Sequence, residues 1–396
     1  MNLQGYLRKD GRKGIRNYVA VAYLVECAHH VAREIALPYR DQAHVIGFPG
    51  CFPNEYAQMM MERLCSHPNV GAVLLVSLGC ESFNRMQLEQ VVRDSGRPVE
   101  TLVIQKVGGT KSAIEAGQRF VRAAIEELDQ TPRVPMDVGD LVIGTVCGGS
   151  DGTSGISGNP ATGRAFDTLV KAGATCIFEE TGELIGCEDI MSARAATPEL
   201  AVELRASVEK AARYYAELGY GSFASGNADG GLSTIEEKSM GAYAKSGASP
   251  ISGLIKPGDI PPRPGLYLMD VVPDGPVRFG FPNISDNAEI VEMMASGAHM
   301  TVFVTGRGSV VGSALAPVIK VAANPDMYER LHEDMDVNAG RIIRGEAGLD
   351  EIGAEIVDQI TRVAAGAPTK SEALGHAEFI LTYKSFEPIG PACLPI

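Results

Sequence analysis

Several features that would indicate particular classes of protein are missing from this sequence of 396 residues. It has no tryptophan and 6% aromatic residues. No apolar run approaches the roughly 18 residues that a membrane-spanning helix needs. The first residues, MNLQGYLRKDGRKG, have no apolar core and do not resemble a signal peptide. These absences predict a cytoplasmic protein.

Clustered cysteines and an excess of positive charge are also missing. The eight cysteines are spread through the chain rather than set at short regular spacings, which argues against a disulfide scaffold. The formal net charge is -14, so a nucleic-acid surface is not expected. An anionic substrate would therefore need a local basic pocket. The sequence contains no internal repeat and no low-complexity tract, and its length allows two or more domains.

Between residues 16 and 130 the sequence alternates apolar runs with amphipathic stretches. Each apolar run predicts a buried strand, and each following stretch predicts a helix. The predicted strands are 17–25, 44–48, 72–77 and 100–105, and the predicted helices are 27–39, 54–66, 86–94 and 110–129. Short turns between such units favour a doubly wound parallel sheet with helices on both faces. No G-x-G-x-x-G motif follows the first strand, which disfavours a nicotinamide dehydrogenase.

Two prolines within 131–139 interrupt this pattern and predict a domain boundary. The fold class is α/β: a Rossmann-like βα domain over 1–134, then a larger catalytic α/β domain with a second parallel sheet over 135–396. The further predicted strands are 141–143, 175–178, 266–271, 300–304 and 317–320, and the further predicted helices are 164–172, 198–218, 233–245, 287–296 and 350–364.

The stretch 141–163, LVIGTVCGGSDGTSGISGNPATG, has the strongest local signal. An apolar strand leads into a glycine-rich loop, and a helix is predicted to start at Asn159-Pro160 with the asparagine as N-cap. A strand, a glycine-rich loop and a helix N-terminus together form an anion site at the edge of a parallel sheet. Cys147 and Asp151 lie on this loop, where both could reach a ligand. Alternatively, the glycines only provide unusual backbone angles.

Three cysteines come directly after predicted strands. Cys51 follows the second strand, Cys80 the third, and Cys147 the strand at 141–143. Ligands of such sheets bind beyond the carboxyl ends of the strands, so these three cysteines could converge on one crevice.

Charged residues at other strand ends are further candidates. Glu180 and Glu183 suit metal binding or acid–base chemistry, although a solvated acidic turn is an equal alternative. Lys106 is predicted to end the fourth strand, and Arg307 follows a later one, where it could hold a carboxylate bidentately. Lys238 lies in a predicted helix and could act as a base if its pKa were lowered in a site. An exposed helix lysine is the alternative.

Short motifs spread over almost the whole chain resemble those of a known family. They are GRKGIRN at 11–17, GCE at 79–81, CGGSD at 147–151, Asn159-Pro160, the E-x-x-E-x-x-G spacing that starts at Glu180, TGRGS at 305–309 and TKSE at 369–372. In this order they resemble the large catalytic region of the altronate and galactarate dehydratases. The resemblance implies a lyase that removes water from a hydroxy or sugar acid, or sulfite as in the related sulfolactate lyases, and yields a 2-oxo acid. The turn Phe48-Pro49-Gly50 lacks a histidine that the sugar-acid enzymes tend to carry nearby, so the exact substrate stays open.

The resemblance also implies a cofactor and partners. Enzymes of this family depend on iron, and their glycine–cysteine turns match at Cys51, Cys80 and Cys147. Three thiolates could hold a 4Fe-4S iron-sulfur cluster with one iron open to substrate as a Lewis acid, and mononuclear Fe(II) with carboxylate ligands is the alternative. The family carries a small β-rich (SAF-type) domain, fused or separate. This chain starts at the large region, so a separate small subunit is implied, and a homo-oligomer is expected.

The implied mechanism assigns a role to each candidate residue. Iron would hold the carboxylate and the leaving hydroxyl of the substrate, while Lys238 removes the adjacent proton. Asp151, Glu180 and Glu183 would orient hydroxyls or assist the leaving group. The residues that would bind the substrate are Arg16, Asn17, Lys106, Ser150 and Arg307. The alternative is a non-catalytic binding subunit that keeps the fold without the metal.

Overall fold

The computed structural model describes residues 3–219, 221–276 and 285–382. Their contacts divide the described chain into two compact units. The smaller unit contains 4–135, 313–316 and the described residues after 376, and the larger unit contains Leu3, 136–312 and 317–376. None of the described helices is both long enough and apolar enough to cross a membrane.

Between residues 18 and 128 strands and helices alternate as the apolar pattern predicts, apart from one additional short helix, and three further short strands lie outside this range. The strands are β1 Leu3–Leu7, β2 Lys13–Gly14, β3 Tyr18–Tyr23, β4 Ala43–Gly47, β5 Val70–Ser77, β6 Val99–Val103 and β7 Val134–Met136, and the helices are α1 Glu26–Ala36, α2 Glu55–Cys65, α3 Arg85–Asp94, α4 Ile104–Val107 and α5 Thr110–Leu128. The main sheet is parallel throughout, in the order β4-β3-β5-β6. Strands β2, β1 and β7 form a second, small sheet.

Burial of the central strand explains why this layer forms. All eight residues of β5 are buried, because helices cover both faces of the sheet. Leu74 and Val76 belong to one apolar cluster with Val31 of α1 and Val121 of α5. Burying side chains of this size from water stabilises the folded state by about 1.5–3 kcal/mol each.

One prediction for this region is wrong. Lys106 does not end the fourth strand, because β6 stops at Val103 and Ile104–Val107 form the short helix α4. Gly108, with a φ of 98°, closes that turn by donating its backbone N–H to Ile104 O. Lys106 is therefore an exposed helix residue.

The larger unit has a second parallel sheet, which confirms the α/β class. Its strands are β8 Val142–Cys147, β9 Thr175–Phe178, β10 Ile251–Ile255, β11 Gly265–Met269, β12 Met300–Thr305, β13 Val318–Ala322 and β14 Val337–Asn338. Its helices are α6 Gly158–Lys171, α7 Glu188–Ser192, α8 Pro198–Leu218, α9 Ser225–Asp229, α10 Ile235–Tyr243, α11 Asp286–Ala295, α12 Pro325–Arg330, α13 Leu349–Ala364 and α14 Lys370–Leu374. Single 3-10 turns occur at Leu37–Tyr39 in the smaller unit and at Val138–Asp140, Thr181–Glu183, Ala244–Ser246 and Ala339–Ile342 in the larger one.

The strand order places a crevice at the end of β8. The described strands pair in the order β10-β11-β9-β8-β12-β13-β14, and all neighbours are parallel. Strands β9 to β11 lie on one side of β8, and strands from β12 onward lie on the other. Such a reversal opens a crevice at the carboxyl ends of the strands, where ligands of α/β proteins bind.

The helix after the glycine-rich loop starts earlier than predicted. Helix α6 has Ser157 as N-cap, so Asn159 lies within its first turn and is not the cap. The reason is a tight turn before the helix, in which Ile156 N and Ser157 N both donate to Thr153 O at 3.0 Å. Asn159 is 1% exposed.

Candidate active site

Cys147 ends β8 and is buried among charged side chains. Its Sγ lies 3.5 Å from Glu180 Oε2, 3.6 Å from Glu183 Oε2 and 3.5 Å from Lys245 Nζ. Ser150 Oγ donates to the same sulfur at 3.5 Å. Burial raises the pKa of the Cys147 thiol, and the Lys245 ammonium opposes that shift.

The turn after β9 presents two carboxylates to Cys147. Within the described chain, Glu180 is the non-glycine residue with a positive φ, at 78°. This left-handed conformation costs of the order of 1–3 kcal/mol and persists only where surrounding contacts hold it. Glu180 N donates to Glu179 Oε2 at 2.6 Å, and Glu183 N donates to Glu180 O at 2.6 Å. Cys147 N in turn donates to Glu180 Oε2 at 3.2 Å, which joins the turn to the end of β8.

Two buried lysines neutralise these two carboxylates. Lys245 Nζ pairs with Glu180 Oε2, and the two side chains are 0% and 3% exposed. Lys238 Nζ pairs with Glu183 Oε1 and also donates to Ser222 O. Lys238 is thus a buried group and not an exposed helix lysine.

Lys238 is protonated in this pair, whereas a residue that acts as a base must be neutral. Burial lowers its pKa, but Glu183, with smaller contributions from Cys147 and Asp286, raises it, so that the net shift is upward. Burial also raises the pKa of Glu183, although Lys238 acts against this. In this pair Lys238 keeps its proton and does not have the lowered pKa that a base requires.

The cluster formed by Cys147, its two carboxylates and its two lysines faces a cavity of about 660 Å³ within the larger unit. Its lining includes Cys147, Glu183, Asn227, Lys238, Asp286 and Arg307. Burial raises the pKa of the Asp286 carboxyl, which lies at the start of α11. A side chain at Gly148 would place its Cβ 2.1 Å from Asp286 Oδ2, so glycine is needed for this close approach. The guanidinium of Arg307 donates to Gly226 O at the exposed side.

Carboxyl groups outnumber ammonium groups around Cys147. Among the described residues, the acids that interact with one another here are Glu179, Glu180, Glu183 and Glu289, which are buried, and Asp286, which is partly buried; the lysines beside them are Lys238 and Lys245. Burial raises the pKa of Glu289 well above its ordinary value, and Glu179 raises it further. A buried surplus of this kind must be protonated or must be balanced by a cation.

Two sets of side chains have ligand atoms close enough for one ion. Cys147, Glu180 and Glu183 form the first set, and Glu179, Glu180 and Glu289 form the second, with all ligand atoms in a set within 4.8 Å of one another. A thiolate with two carboxylates suits a divalent transition metal and leaves coordination positions open for a substrate.

Asp151 is engaged in holding the glycine-rich loop. Its Oδ1 accepts from Thr153 N at 2.9 Å and Ser154 N at 3.1 Å, and its Oδ2 accepts from Asn324 Nδ2 at 3.1 Å. Gly306 packs against this carboxylate, because an added Cβ would lie 2.0 Å from Asp151 Oδ1. These contacts fix the loop between β8 and α6, and a catalytic role for Asp151 stays a prediction.

Cys51 and Cys80 lie in the smaller unit, whereas Cys147 lies in the larger one. Both cysteines are exposed, and their turns are neighbours, since Ser82 N donates to Cys51 O at 2.9 Å. Glu81 shapes the second turn by accepting from Gly79 N at 2.8 Å. Convergence of the three cysteines on one metal stays a prediction.

The other predicted substrate-binding residues of the smaller unit have structural contacts. Arg16 is 9% exposed and donates to Ile15 O at 3.1 Å. Asn17 donates through Nδ2 to Leu128 O at 3.1 Å. Roles for Arg16, Asn17 and Lys106 in substrate binding stay predictions.

Lys245 and Asp286 were not predicted as site residues from the sequence. Lys245 comes seven residues after Lys238, a spacing of two helical turns that places both lysines on one side of the segment. That spacing was a usable signal. Asp286 has no comparable signal in the sequence, because an acidic residue at the start of a helix is common without any function.

A crevice at the reversal point of a parallel sheet, lined by buried acids and lysines, is the arrangement of an α/β enzyme. The chain matches the family D-galactarate/Altronate dehydratase, C-terminal, over residues 138–386. It also matches the D-galactarate dehydratase/Altronate hydrolase second domain over residues 5–129. The protein belongs to the D-galactarate/altronate dehydratase family, which confirms the resemblance seen in its motifs.

Its relatives carry the names of lyases. The chain is 32% identical over 400 residues to (2R)-sulfolactate sulfo-lyase subunit beta of Chromohalobacter salexigens, with 96% of each chain covered. It is 29% identical over 381 residues to altronate dehydratase of Bacillus subtilis, with 92% of this chain and 74% of the relative covered. It is 33% identical over 319 residues to galactarate dehydratase (L-threo-forming) of Escherichia coli, with 77% and 58% covered.

The buried pair of Lys245 and Glu180 gives a stability prediction. Lys245→Met leaves the Glu180 carboxylate buried without its cation and is expected to reduce the free energy of unfolding by about 3–5 kcal/mol. The double variant Lys245→Met/Glu180→Gln removes both charges and should be more stable than the single variant. Urea unfolding measures both effects, with Lys111→Met on the exposed face of α5 as the control. Equal stability of Lys245→Met and Lys111→Met would contradict the pairing.

The pair of Lys238 and Glu183 gives a pKa prediction. Glu183→Gln removes the carboxylate that raises the pKa of Lys238 and leaves the burial that lowers it, so Lys238 should titrate at a lower pH than in the wild type. Carbon-13 NMR of ε-labelled lysine across a pH series measures this, and Lys238→Met assigns the signal.

The raised pKa of Lys238 also determines how the stability of the fold depends on pH. A raised lysine pKa stabilises the fold below its unfolded pKa, and this contribution is lost as the pH rises through the folded value. The Glu183→Gln variant should not show this loss of stability at high pH. The control Glu203→Gln, on the exposed face of α8, should show it as the wild type does. An unchanged titration of Lys238 in Glu183→Gln would refute the assignment.

Proposed function

We propose that this protein is a lyase that eliminates a β-substituent from a 2-hydroxy acid and yields a 2-oxo acid. The main support is the buried cluster of Cys147, Glu180 and Glu183 with its two lysines at the end of β8. Membership of the dehydratase family supports the same reaction class.

The reaction requires removal of a weakly acidic proton next to a carboxylate. The C2–H bond breaks, its electron pair forms the C2–C3 double bond, and the bond from C3 to the leaving group breaks. The resulting enol takes up a proton at C3, loses the proton of its 2-hydroxyl group and becomes the 2-oxo acid. The barrier lies in the negative charge that develops on the substrate, so groups that stabilise this charge more in the transition state than in the bound substrate accelerate the reaction.

The residues of the cavity suit these steps. Arg307 carries a guanidinium that can hold the substrate carboxylate bidentately. Asp286, whose pKa burial raises, can protonate the leaving group. Lys238 accepts the C2 proton in its neutral form, which burial favours and the charge of Glu183 opposes. When Glu183 is neutral, Lys238 can therefore lose its proton and act as a base.

The same cluster fits a divalent metal. Cys147, Glu180 and Glu183 would hold it, and the surplus of buried carboxyl groups over lysines favours a cation there. Bound iron would act as a Lewis acid toward the substrate carboxylate. The cofactor that the sequence favoured, a 4Fe-4S cluster on Cys51, Cys80 and Cys147, remains as the alternative.

Water is the first candidate for the leaving group, which makes the protein a dehydratase of a hydroxy or sugar acid. Sulfite is the second candidate, and the specific support for it is the sulfo-lyase subunit that this chain matches over 96% of both lengths. The name of that relative, subunit beta, also supports a separate small β-rich partner for this protein. We further propose that the enzyme acts in the cytoplasm.

An elimination assay tests the proposal. Anaerobic protein with ferrous iron, with and without a co-expressed small subunit, is incubated with six-carbon sugar acids and with 3-sulfolactate, and 2-oxo acid and sulfite are measured. We expect 2-oxo acid from one class of substrate. Lys238→Met removes the proposed base and should lower kcat by about 10²-fold or more, the usual loss for an acid–base group.

The exposed variant Glu203→Gln is the control and should keep the wild-type rate. No 2-oxo acid from any of these acids under any of these conditions would favour the non-catalytic binding subunit. A fully active Lys238→Met variant would show that Lys238 is not the base and that the cluster is not the reaction centre.

A further inference from the structure

Glu179 is a buried acid to which the proposed mechanism gives no role. It is the first residue after β9, and it is 0% exposed. Its Oε2 accepts a hydrogen bond from Glu180 N at 2.6 Å. A carboxyl group is unfavourable in the interior unless its oxygens are hydrogen-bonded, so this contact with the next residue indicates what the group does in the fold.

Helix α11 supports the carboxyl group of Glu179. Glu289 of this helix is 7% exposed, and its side chain is hydrogen-bonded to that of Glu179. The nearest carboxylate oxygens of Glu179, Glu180 and Glu289 all lie within 4.8 Å of one another. A hydrogen bond between two carboxyl groups requires a proton on one of them. Glu289 therefore holds Glu179, and Glu179 holds the backbone of Glu180.

The turn that contains Glu180 carries both carboxylates that face Cys147. Glu180 has a φ of 78°, and such a conformation persists only where contacts hold it. Glu183 N donates to Glu180 O at 2.6 Å, so the position of Glu183 depends on the same turn. Gly182 packs against Tyr215, because an added Cβ would lie 2.3 Å from Tyr215 Cε2. This packing fixes the later part of the turn, whereas the contact with Glu179 acts on its first residue.

We propose that Glu179 is a positioning residue for the metal centre, because its carboxyl group holds Glu180 in the left-handed conformation that directs Glu180 and Glu183 toward Cys147. Lys245 fixes the carboxylate end of Glu180, and Glu179 fixes its backbone. Glu179 acts through Glu180 and needs no contact with the substrate. This inference rests on the metal centre of the proposed function.

Binding of cobalt(II) to the metal-free full chain tests this role without turnover. Cobalt(II) lies beside iron(II) in its preference for thiolate and carboxylate ligands. Its thiolate charge-transfer band reports binding to a cysteine, and its ligand-field bands report the number and geometry of the other ligands. Cys147→Ser should lose the charge-transfer band, which assigns that band to Cys147.

Two variants of Glu179 separate positioning from general stability. Glu179→Leu removes the acceptor of Glu180 N, so that metal binding has to restore the left-handed conformation. We expect the dissociation constant for cobalt(II) to rise about tenfold and the ligand-field bands to change. Glu179→Gln keeps an oxygen that accepts from Glu180 N and should restore the wild-type bands and most of the affinity. Glu179→Ala replaces Glu179→Leu if the leucine variant does not fold.

Glu292→Leu is the matched control. Glu292 is a buried acid of the helix that carries Glu289, and its charge also acts on Glu179, but it belongs to neither of the two ligand sets. This variant should keep the wild-type bands. Unchanged bands and affinity without the acceptor at residue 179, no recovery in Glu179→Gln, or an equal loss in Glu292→Leu would overturn the proposal. A wild type without the charge-transfer band would refute the metal centre as well, whereas the elimination assay tests the lyase reaction separately.

Discussion

Lys245 and Glu180 form an ion pair whose two side chains are almost completely removed from water, and the rest of the candidate site depends on this pair. The ammonium lies beside the Cys147 thiol and opposes the effect of burial on its pKa. Glu180 holds a left-handed backbone conformation that turns its carboxylate toward the end of β8. Either charge alone would be strongly unfavourable in this environment, so each residue stabilises the position of the other. The pair therefore fixes the geometry in which Cys147 and Glu183 come together.

The parallel sheet explains why these groups meet although they are distant in the chain. Cys147 ends β8, Glu180 follows β9, and Arg307 follows β12, and these three strands are neighbours. Their carboxyl ends share one edge, and the order of the strands reverses around β8 at that edge. Lys238 and Lys245 reach the same edge from α10 and the turn after it. The surplus of buried carboxyl groups then accounts for both functions that we propose, proton transfer and binding of a cation.

Much of this architecture follows from the sequence, because apolar periodicity and glycine-rich turns are local signals. The strand before Cys147 and the helix after the loop were predicted, yet the cap was placed at Asn159 because the turn at Thr153–Ser157 leaves no distinctive pattern. Lys106 was misplaced for a similar reason, since the short helix before Gly108 interrupts an apolar run that looks like a strand. The environment of Lys238 could not be predicted at all. Whether a lysine is buried against a carboxylate is decided by tertiary packing, and here Glu183, together with Cys147 and Asp286, reverses the direction of the pKa shift that burial alone would give.

The central claim is that Cys147 and the carboxylates of the larger unit form a single-metal centre. X-ray absorption spectroscopy at the iron edge, on the full chain loaded anaerobically with ferrous iron and inorganic sulfide, tests it most directly. We expect one sulfur neighbour, oxygen or nitrogen as the other neighbours, and no iron–iron scattering. About four sulfur neighbours per iron, from thiolate and bridging sulfide, together with iron–iron scattering would contradict the claim, because that pattern belongs to a cluster held by Cys51, Cys80 and Cys147.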